Sequence, residues 1–414
     1  MEASLMNIRH EAATIDSPRP TFSSHPGHKN QPLRVALVHD WLTGLRGGEK
    51  CLERLCLLFP NATIHTLIHS PGKVGPIIGS MKIRSSPLRH LPRVERYYRH
   101  LLPAMPWAIR QIDVGQVDLV ISLSHCVAKA VRVPAGVPHL CYCFTPMRYA
   151  WDGRQAYLEK WPVGSIKRRL IESLLDRLAR WDLANSAGVT QFIAISQTIR
   201  DRIRNNYNRQ SVIVYPPVDT DYYTVDPSVV RDDYYLAASA LVPYKKIDQA
   251  VEACNRLGRR LKVIGSGPEL NRLRSLAGPT VEILGFQPDD VLRDHLRRCQ
   301  ALIFPGDEDF GIVPIEALAC GTPVIALDRG GVAESVDSSV GEVYPDSTVE
   351  CLESAIVRFE QRPFDPGLSL RARARAAAFE KEAFDRGMLR LIQQATGPDE
   401  KSHQRHESLI ANHI

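Results

Sequence analysis

The chain has 414 residues, 44% hydrophobic and 24% charged, with a formal net charge of +6. That length suggests two or three domains, each able to bury its own core. No apolar run approaches the roughly 20 residues that span a bilayer, and nine scattered cysteines without a Cys-x-x-Cys pair argue against a zinc ribbon or disulfide framework and for buried thiols in a reducing compartment.

Residues 1–31 are polar, rich in Ser, Pro and His, and lack the apolar centre of a signal peptide. They read as a disordered extension. The first strand is expected at Arg34–His39, and it runs into Asp40-Trp41-Leu42-Thr43-Gly44-Leu45-Arg46-Gly47-Gly48-Glu49-Lys50. Gly47 and Gly48 would let the backbone approach a ligand and open a helix whose N–H groups face it. Ordinary turns use paired glycines too, and a full Gly-x-Gly-x-x-Gly dinucleotide fingerprint is absent here. A second strand is expected at Thr63–Ile68. From Lys82 to Arg110, seven Lys and Arg residues face a single acid, Glu95, with Leu88, Leu91, Tyr98, Leu102 and Trp107 interleaved. Such a mixture suits an anionic membrane surface, or equally an amphipathic helix whose arginines face water. No nucleic-acid-binding module is recognisable.

Further strands are expected at Asp118–Ser122, His139–Phe144 and Thr190–Ile195. His125 follows one of them, and the polar–aromatic run Phe144-Thr145-Pro146-Met147-Arg148-Tyr149-Ala150-Trp151-Asp152 follows another. Tyr215-Pro216-Pro217-Val218-Asp219 must be extended, and it marks a linker. Strands then recur at Tyr234–Ser239, Leu261–Ile264, Val281–Leu284, Ala301–Phe304 and Val324–Leu327. Near-continuous apolar strands alternating with helices indicate two open parallel α/β domains, with ligands outside the strand C-termini. Lys245 and Lys246 stand where a helix should begin. Positive charge is unfavourable there, so either an anion is expected beside them or both are solvated.

Glu308 and Glu316 bracket a strand–loop–helix, Glu308-Asp309-Phe310-Gly311-Ile312-Val313-Pro314-Ile315-Glu316. The helix is expected from Pro314, stopping at Gly321, and its free N–H groups make a phosphate site. Glu308 and Glu316 could accept hydrogen bonds from sugar hydroxyls. Alternatively, Glu316 serves its own helix N-terminus and Glu308 is a solvated loop residue. Asp219-Thr220-Asp221 and Asp307-Glu308-Asp309 also fit a metal-binding Asp-x-Asp pattern, which arises readily by chance in loops.

The spacing of Glu308 and Glu316, with Gly321-Thr322-Pro323-Val324-Ile325 and Gly330-Gly331-Val332-Ala333-Glu334, resembles retaining glycosyltransferases of family 4. Phe144–Asp152, Gly47–Lys50 and Val242–Lys245 resemble its WbaZ-like O-antigen mannosyltransferase branch. The resemblance spans residues 33 to about 395 and implies an α/β GT-B fold, two Rossmann-like domains facing each other across a cleft. It implies an acceptor-side domain over residues 32–214, a nucleotide-sugar domain over 215–378, a closing helix over 379–396 returning to the first, and a tail over 397–414 that reads as disordered. By the resemblance Lys245, Glu308 and His125 are the catalytic candidates. Glu316, Phe310, Gly311, Ile312, Lys246, Gly47, Gly48, Arg148 and Asp152 are candidates for substrate binding. Family members usually carry an arginine where this chain has Ala240.

The activity so implied is transfer of a hexose, mannose from GDP-mannose, onto a lipid-linked saccharide or polysaccharide in envelope or exopolysaccharide synthesis. The nucleotide sugar is a substrate; no cofactor and no metal are expected, and no nucleic-acid partner. The expected location is cytoplasmic, peripheral at the inner face of the membrane. An epimerase or hydrolase of nucleotide sugars, or an inactive binding protein, would use the same scaffold.

Overall fold

Val35–His39 (β1) is buried at every position because it lies inside a sheet covered on both faces. In the computed structural model, which describes residues 32–154, 165–363 and 365–397, β1 pairs in parallel with Thr63–Thr66 (β2) on one flank and Leu119–Ser124 (β4) on the other. The remaining strands are Lys82–Ser85 (β3), His139–Cys143 (β5), Gln191–Ala194 (β6) and Ser211–Ile213 (β7). Their order is β3-β2-β1-β4-β5-β6-β7.

A second parallel sheet has the order β10-β9-β8-β11-β12-β13. It consists of Tyr235–Ala238 (β8), Leu261–Ile264 (β9), Val281–Gly285 (β10), Leu302–Phe304 (β11), Val324–Leu327 (β12) and Gly341–Tyr344 (β13). Both sheets lie within one unit, Arg34–Ala395. The extensions expected to be disordered, residues 1–31 and nearly all of 397–414, fall outside the described residues.

Three strands carry no expectation from the sequence: β3, β7 and β13. Each is a sheet edge, where one flank needs no apolar cover. Lys82–Ser85 alternates exposed and half-buried positions instead of forming an apolar run. The basic stretch that follows is not one amphipathic helix. Short turns at Pro87–His90, Val94–Tyr97, Tyr98–Ala104 and Met105–Arg110 succeed one another. Leu88, Tyr98, Leu102 and Met105 enter the first-lobe core, leaving Leu91 and Trp107 exposed.

The helix Lys381–Thr396 packs back on the first lobe. Phe384 meets the Tyr142 ring edge-on at 5.5 Å, Asp385 pairs with Arg54, and Gly387 lies against Val214. The double-proline linker runs beside this segment, with the Val218 N–H donating to the Phe379 carbonyl at 2.9 Å.

One buried polar cluster braces the first lobe beneath its strand ends. Asp182, fully buried on the helix Ser165–Ser186, pairs with buried Lys129. It also accepts from Trp151 Nε1 at 2.9 Å and from the Tyr207 hydroxyl at 2.6 Å. Lys129 Nζ donates further to the Cys126 carbonyl at 3.0 Å. The turn after β4, the loop after β5 and the helix Gln197–Tyr207 therefore share one carboxylate. Removing a single partner of a buried pair strands the other charge. Asp182→Ala should cost about 3–5 kcal/mol, seen as a lower urea midpoint, whereas a midpoint unchanged from wild type would show the cluster to be dispensable.

Candidate active-site cleft

Each sheet has one point where the strand order reverses, between β1 and β4 in the first and between β8 and β11 in the second. Crevices at such points, outside the strand C-termini, are the habitual ligand position of open α/β sheets. His125 follows β4, the lysine pair follows β8 and Glu308 follows β11. Chain segments far apart in sequence thus converge because parallel strands all end on one side.

In the second lobe Lys245 and Glu308 form an ion pair, both largely buried. Lys245 ends a turn of 3-10 helix, Pro243–Lys245. Lys246 caps the next helix, Ile247–Leu257, with a left-handed φ of 54°, and is exposed. The fold thus separates the two lysines: Lys245 turns to the glutamate and Lys246 to solvent. Glu308 is held by its backbone, which bridges Gly330 and accepts from the Gly331 N–H at 2.7 Å.

The helix expected from Pro314 begins two residues earlier and spans Ile312–Ala319. Proline fits anywhere in a first turn, because those N–H groups have no partner within the helix. Gly311 is the cap, at φ 89°, a conformation strained for any residue with a side chain. Its neighbour Phe310 turns inward instead, stacking on Tyr215 at 6.0 Å and meeting Phe379 at 5.7 Å. Of Phe310, therefore, the backbone remains for a ligand.

Glu316, on the same helix, is buried, and it lies 3.9 Å from Lys50 Nζ of the opposite lobe. Burial pushes its carboxyl up to about 7, with Lys50 opposing. The glycine turn of the first lobe closes on this helix: a methyl group added at Gly47 would lie 2.6 Å from Ile312 Cδ1. Gly48 is packed on the ring of Phe144.

Across the cleft, buried Asp40 accepts from four consecutive backbone N–H groups, those of His125, Cys126, Val127 and Ala128, at 2.7–2.9 Å. The same carboxylate lies 3.2 Å from His125 Nδ1, and the Trp41 ring meets the imidazole edge-on at 4.4 Å. Burial lowers the His125 pKa; Asp40 opposes that, while Arg46, Arg148 and Arg99 add to it. The ring is therefore neutral near pH 7, suited to hydrogen bonding more than to donating a proton.

Arg148 reaches Asp309 in the second lobe, and so does Arg202. Asp152 lies at the rim, 3.3 Å from Arg202 Nε. Gln197 N–H and the Tyr215 hydroxyl both donate to Glu334, at 2.7 and 3.0 Å. Asp219 and Asp221 are engaged by Lys381 at 2.8 and 3.1 Å. Asp40 and Arg202 carry no expectation from sequence, and Asp309 only that of an Asp-x-Asp metal pattern, whereas the structure pairs it with two arginines. Sequence marks the run, but which member faces the cleft depends on how each loop turns.

Residues 226–381 match the family model for glycosyl transferases group 1. A GDP-mannose-dependent alpha-(1-6)-phosphatidylinositol monomannoside mannosyltransferase of Mycolicibacterium smegmatis is 30% identical over 44% of this chain and 55% of its own length. A putative colanic acid biosynthesis glycosyltransferase of Salmonella typhimurium is 27% identical over 38% and 44%. An uncharacterized glycosyltransferase of Methanocaldococcus jannaschii is 26% identical over 35% and 42%. The chain thus spans about half the length of the curated relatives it matches. Among solved structures, Anabaena HepE in complex with UDP superposes with a TM-score of 0.63 at 16% identity, covering 87% of this chain and all of that one. Sucrose-phosphate synthase of Thermosynechococcus elongatus gives 0.65 at 18% identity, covering 87% and 98%. The fold is GT-B.

The Glu316 carboxyl has a consequence for stability. Below its unfolded value of 4.5 both states are protonated and it adds no penalty. Between 4.5 and about 7 the unfolded chain ionises first, so stability falls as pH rises. Above that the penalty is complete, up to about 3 kcal/mol. Glu316→Gln should therefore melt like wild type at pH 4 but about 2–4 °C higher at pH 8. Equal melting temperatures at pH 8 would place the charge in water.

Proposed function

We propose that this protein is a retaining glycosyltransferase that moves a hexose from a nucleotide sugar to a lipid-linked saccharide or polysaccharide. The observation that carries this reading is the Lys245–Glu308 pair beside the start of the helix Ile312–Ala319, at the strand ends of one lobe and facing the other. On this reading the cation and the helix N-terminus meet the departing diphosphate, and electrostatic stabilisation of that kind contributes several kcal/mol in comparable sites. On this reading the second lobe binds the nucleotide sugar and the first the acceptor.

Glu316 accepts hydrogen bonds from the ribose hydroxyls. Glu308 takes the sugar hydroxyls, and the backbone N–H groups of Phe310, Gly311 and Ile312 line the sugar and phosphate. His125 contacts the sugar from the first lobe, with Gly47 and Gly48 closing over the donor and Arg148 and Asp152 at the edge of the site. The bond from the anomeric carbon to phosphate breaks and the glycosidic bond forms on the same face. The departing phosphate takes the acceptor's proton. Lys245 and the helix N-terminus supply the positive charge that a divalent ion supplies elsewhere, so turnover should persist in excess chelator.

Mannose and GDP are favoured by the relative whose name specifies GDP-mannose, and an envelope polysaccharide acceptor by the one named for colanic acid. We place the protein, within the WbaZ-like branch, in envelope or exopolysaccharide synthesis at the inner face of the cytoplasmic membrane. No helix among the described residues is long and apolar enough to cross a membrane. Exposed Leu91 and Trp107 in the arginine-rich segment support a peripheral contact.

A melting-temperature panel of GDP, UDP and ADP sugars tests the donor, since a ligand bound to the folded state stabilises it by mass action. Radiolabelled sugar nucleotide with an envelope lipid extract tests transfer. Label should appear in lipid; an altered sugar nucleotide without acceptor would instead establish an epimerase or hydrolase. Glu308→Gln should lower turnover at least about tenfold with the fold intact, and an unchanged rate would remove Glu308 from the site. Activity lost to chelator and restored by magnesium would overturn the metal-free assignment.

A further inference from the structure

Asp309 is gripped twice from the first lobe, by Arg148 and by Arg202. Arg202 lies between two carboxylates, because its Nε also meets Asp152 at 3.3 Å. Arg148 is placed differently. Its Cζ lies 5.9 Å from the centre of the Tyr244 ring, and Lys245 Nζ lies 5.4 Å from the same centre. Lys245 in turn pairs with Glu308, the immediate neighbour of Asp309. Two cations from opposite lobes therefore share one aromatic ring and two adjacent carboxylates, just ahead of Ile312.

We propose that Arg148 is the second cation of the donor diphosphate site, exchanging Asp309 for a phosphate oxygen when the nucleotide binds. This rests on the nucleotide-sugar reading above. The guanidinium fork carries five donors and fits carboxylate and phosphate alike. Its side chain is 39% exposed even while it pairs with Asp309, so it is accessible to a ligand in solution. Because Arg148 belongs to the first lobe, the departing diphosphate is fully neutralised only when the lobes are together. The charge that assists departure and the contact that docks the lobes become the same residue.

Calorimetric titration of the full chain with GDP and GMP, and with UDP and UMP, tests this in wild type, Arg148→Gln, Arg148→Lys and Arg202→Gln. Arg148→Gln should lose about tenfold in affinity for the diphosphate, with the monophosphate within about twofold of wild type. Arg148→Lys, keeping the charge but not the fork, should lose less. Arg202→Gln should keep the wild-type ratio of diphosphate to monophosphate affinity. An unchanged ratio in Arg148→Gln overturns the proposal. So does an equal loss in Arg202→Gln, which would mean that both arginines act only by docking the lobes through Asp309. If Arg148→Gln does not fold, Asp309→Asn decides: freed Arg148 should hold or tighten the diphosphate, and a tenfold loss would refute its role. Wild-type protein that binds none of the four nucleotides would sink the nucleotide-sugar reading itself.

Discussion

Glu308 and Asp309 are two carboxylates in succession, both largely buried at a strand end, where each needs a cation. Lys245 serves the first from the same lobe; Arg148 and Arg202 serve the second from the other. Charges leaving water need partners of good geometry, and here the partners come from three separate segments of chain. That requirement orients the loop after β11, so that it enters the helix Ile312–Ala319 with its N–H groups towards the cleft. It also ties the two lobes at the place where a ligand would bind.

Support for this arrangement lies deeper in the first lobe. Asp182 joins the turn bearing His125 to the loop bearing Arg148 and, through Tyr207, to the helix bearing Arg202. Asp40 repeats the device nearer the cleft, collecting four backbone N–H groups so that the turn after β4 presents His125. Both aspartates are fully buried, and both act by gathering donors that would otherwise be unsatisfied. The cleft side chains are consequently carried on loops whose backbones have little freedom. That is the condition under which loops can do chemistry on a rigid scaffold.

Glu316 is the exception to neutralisation. It is buried with a lysine 3.9 Å away, close enough to moderate its raised pKa and too far for a good hydrogen bond. A carboxylate kept in this state represents stability forgone, a common mark of functional sites. Donors brought by a ligand would complete its coordination. Its place as the fifth residue of Ile312–Ala319 also distinguishes it from a residue that merely serves its helix terminus, the alternative reading of its position, since that effect falls off within the first turn.

Much of this protein was legible in its residues before any coordinates. Interior strands announce themselves because a strand covered on both faces must be apolar throughout, as Val35–His39 and Val324–Leu327 are. The glutamate pair, Lys245 and the glycine turn stand out in the residues, and the structure brings Lys245 to Glu308 and Gly47 to Ile312. Edge strands such as Lys82–Ser85 escaped, since water on one flank removes the constraint that makes a strand recognisable. The inward turn of the basic stretch escaped too, because Leu88 and Tyr98 look alike on a membrane face and in a core. Only tertiary structure decided that Lys245 and not Lys246 meets Glu308, and that Arg148 and Arg202 converge on Asp309. Those pairings join residues 63 to 161 positions apart, and local pattern holds no information about which distant charge will close on which.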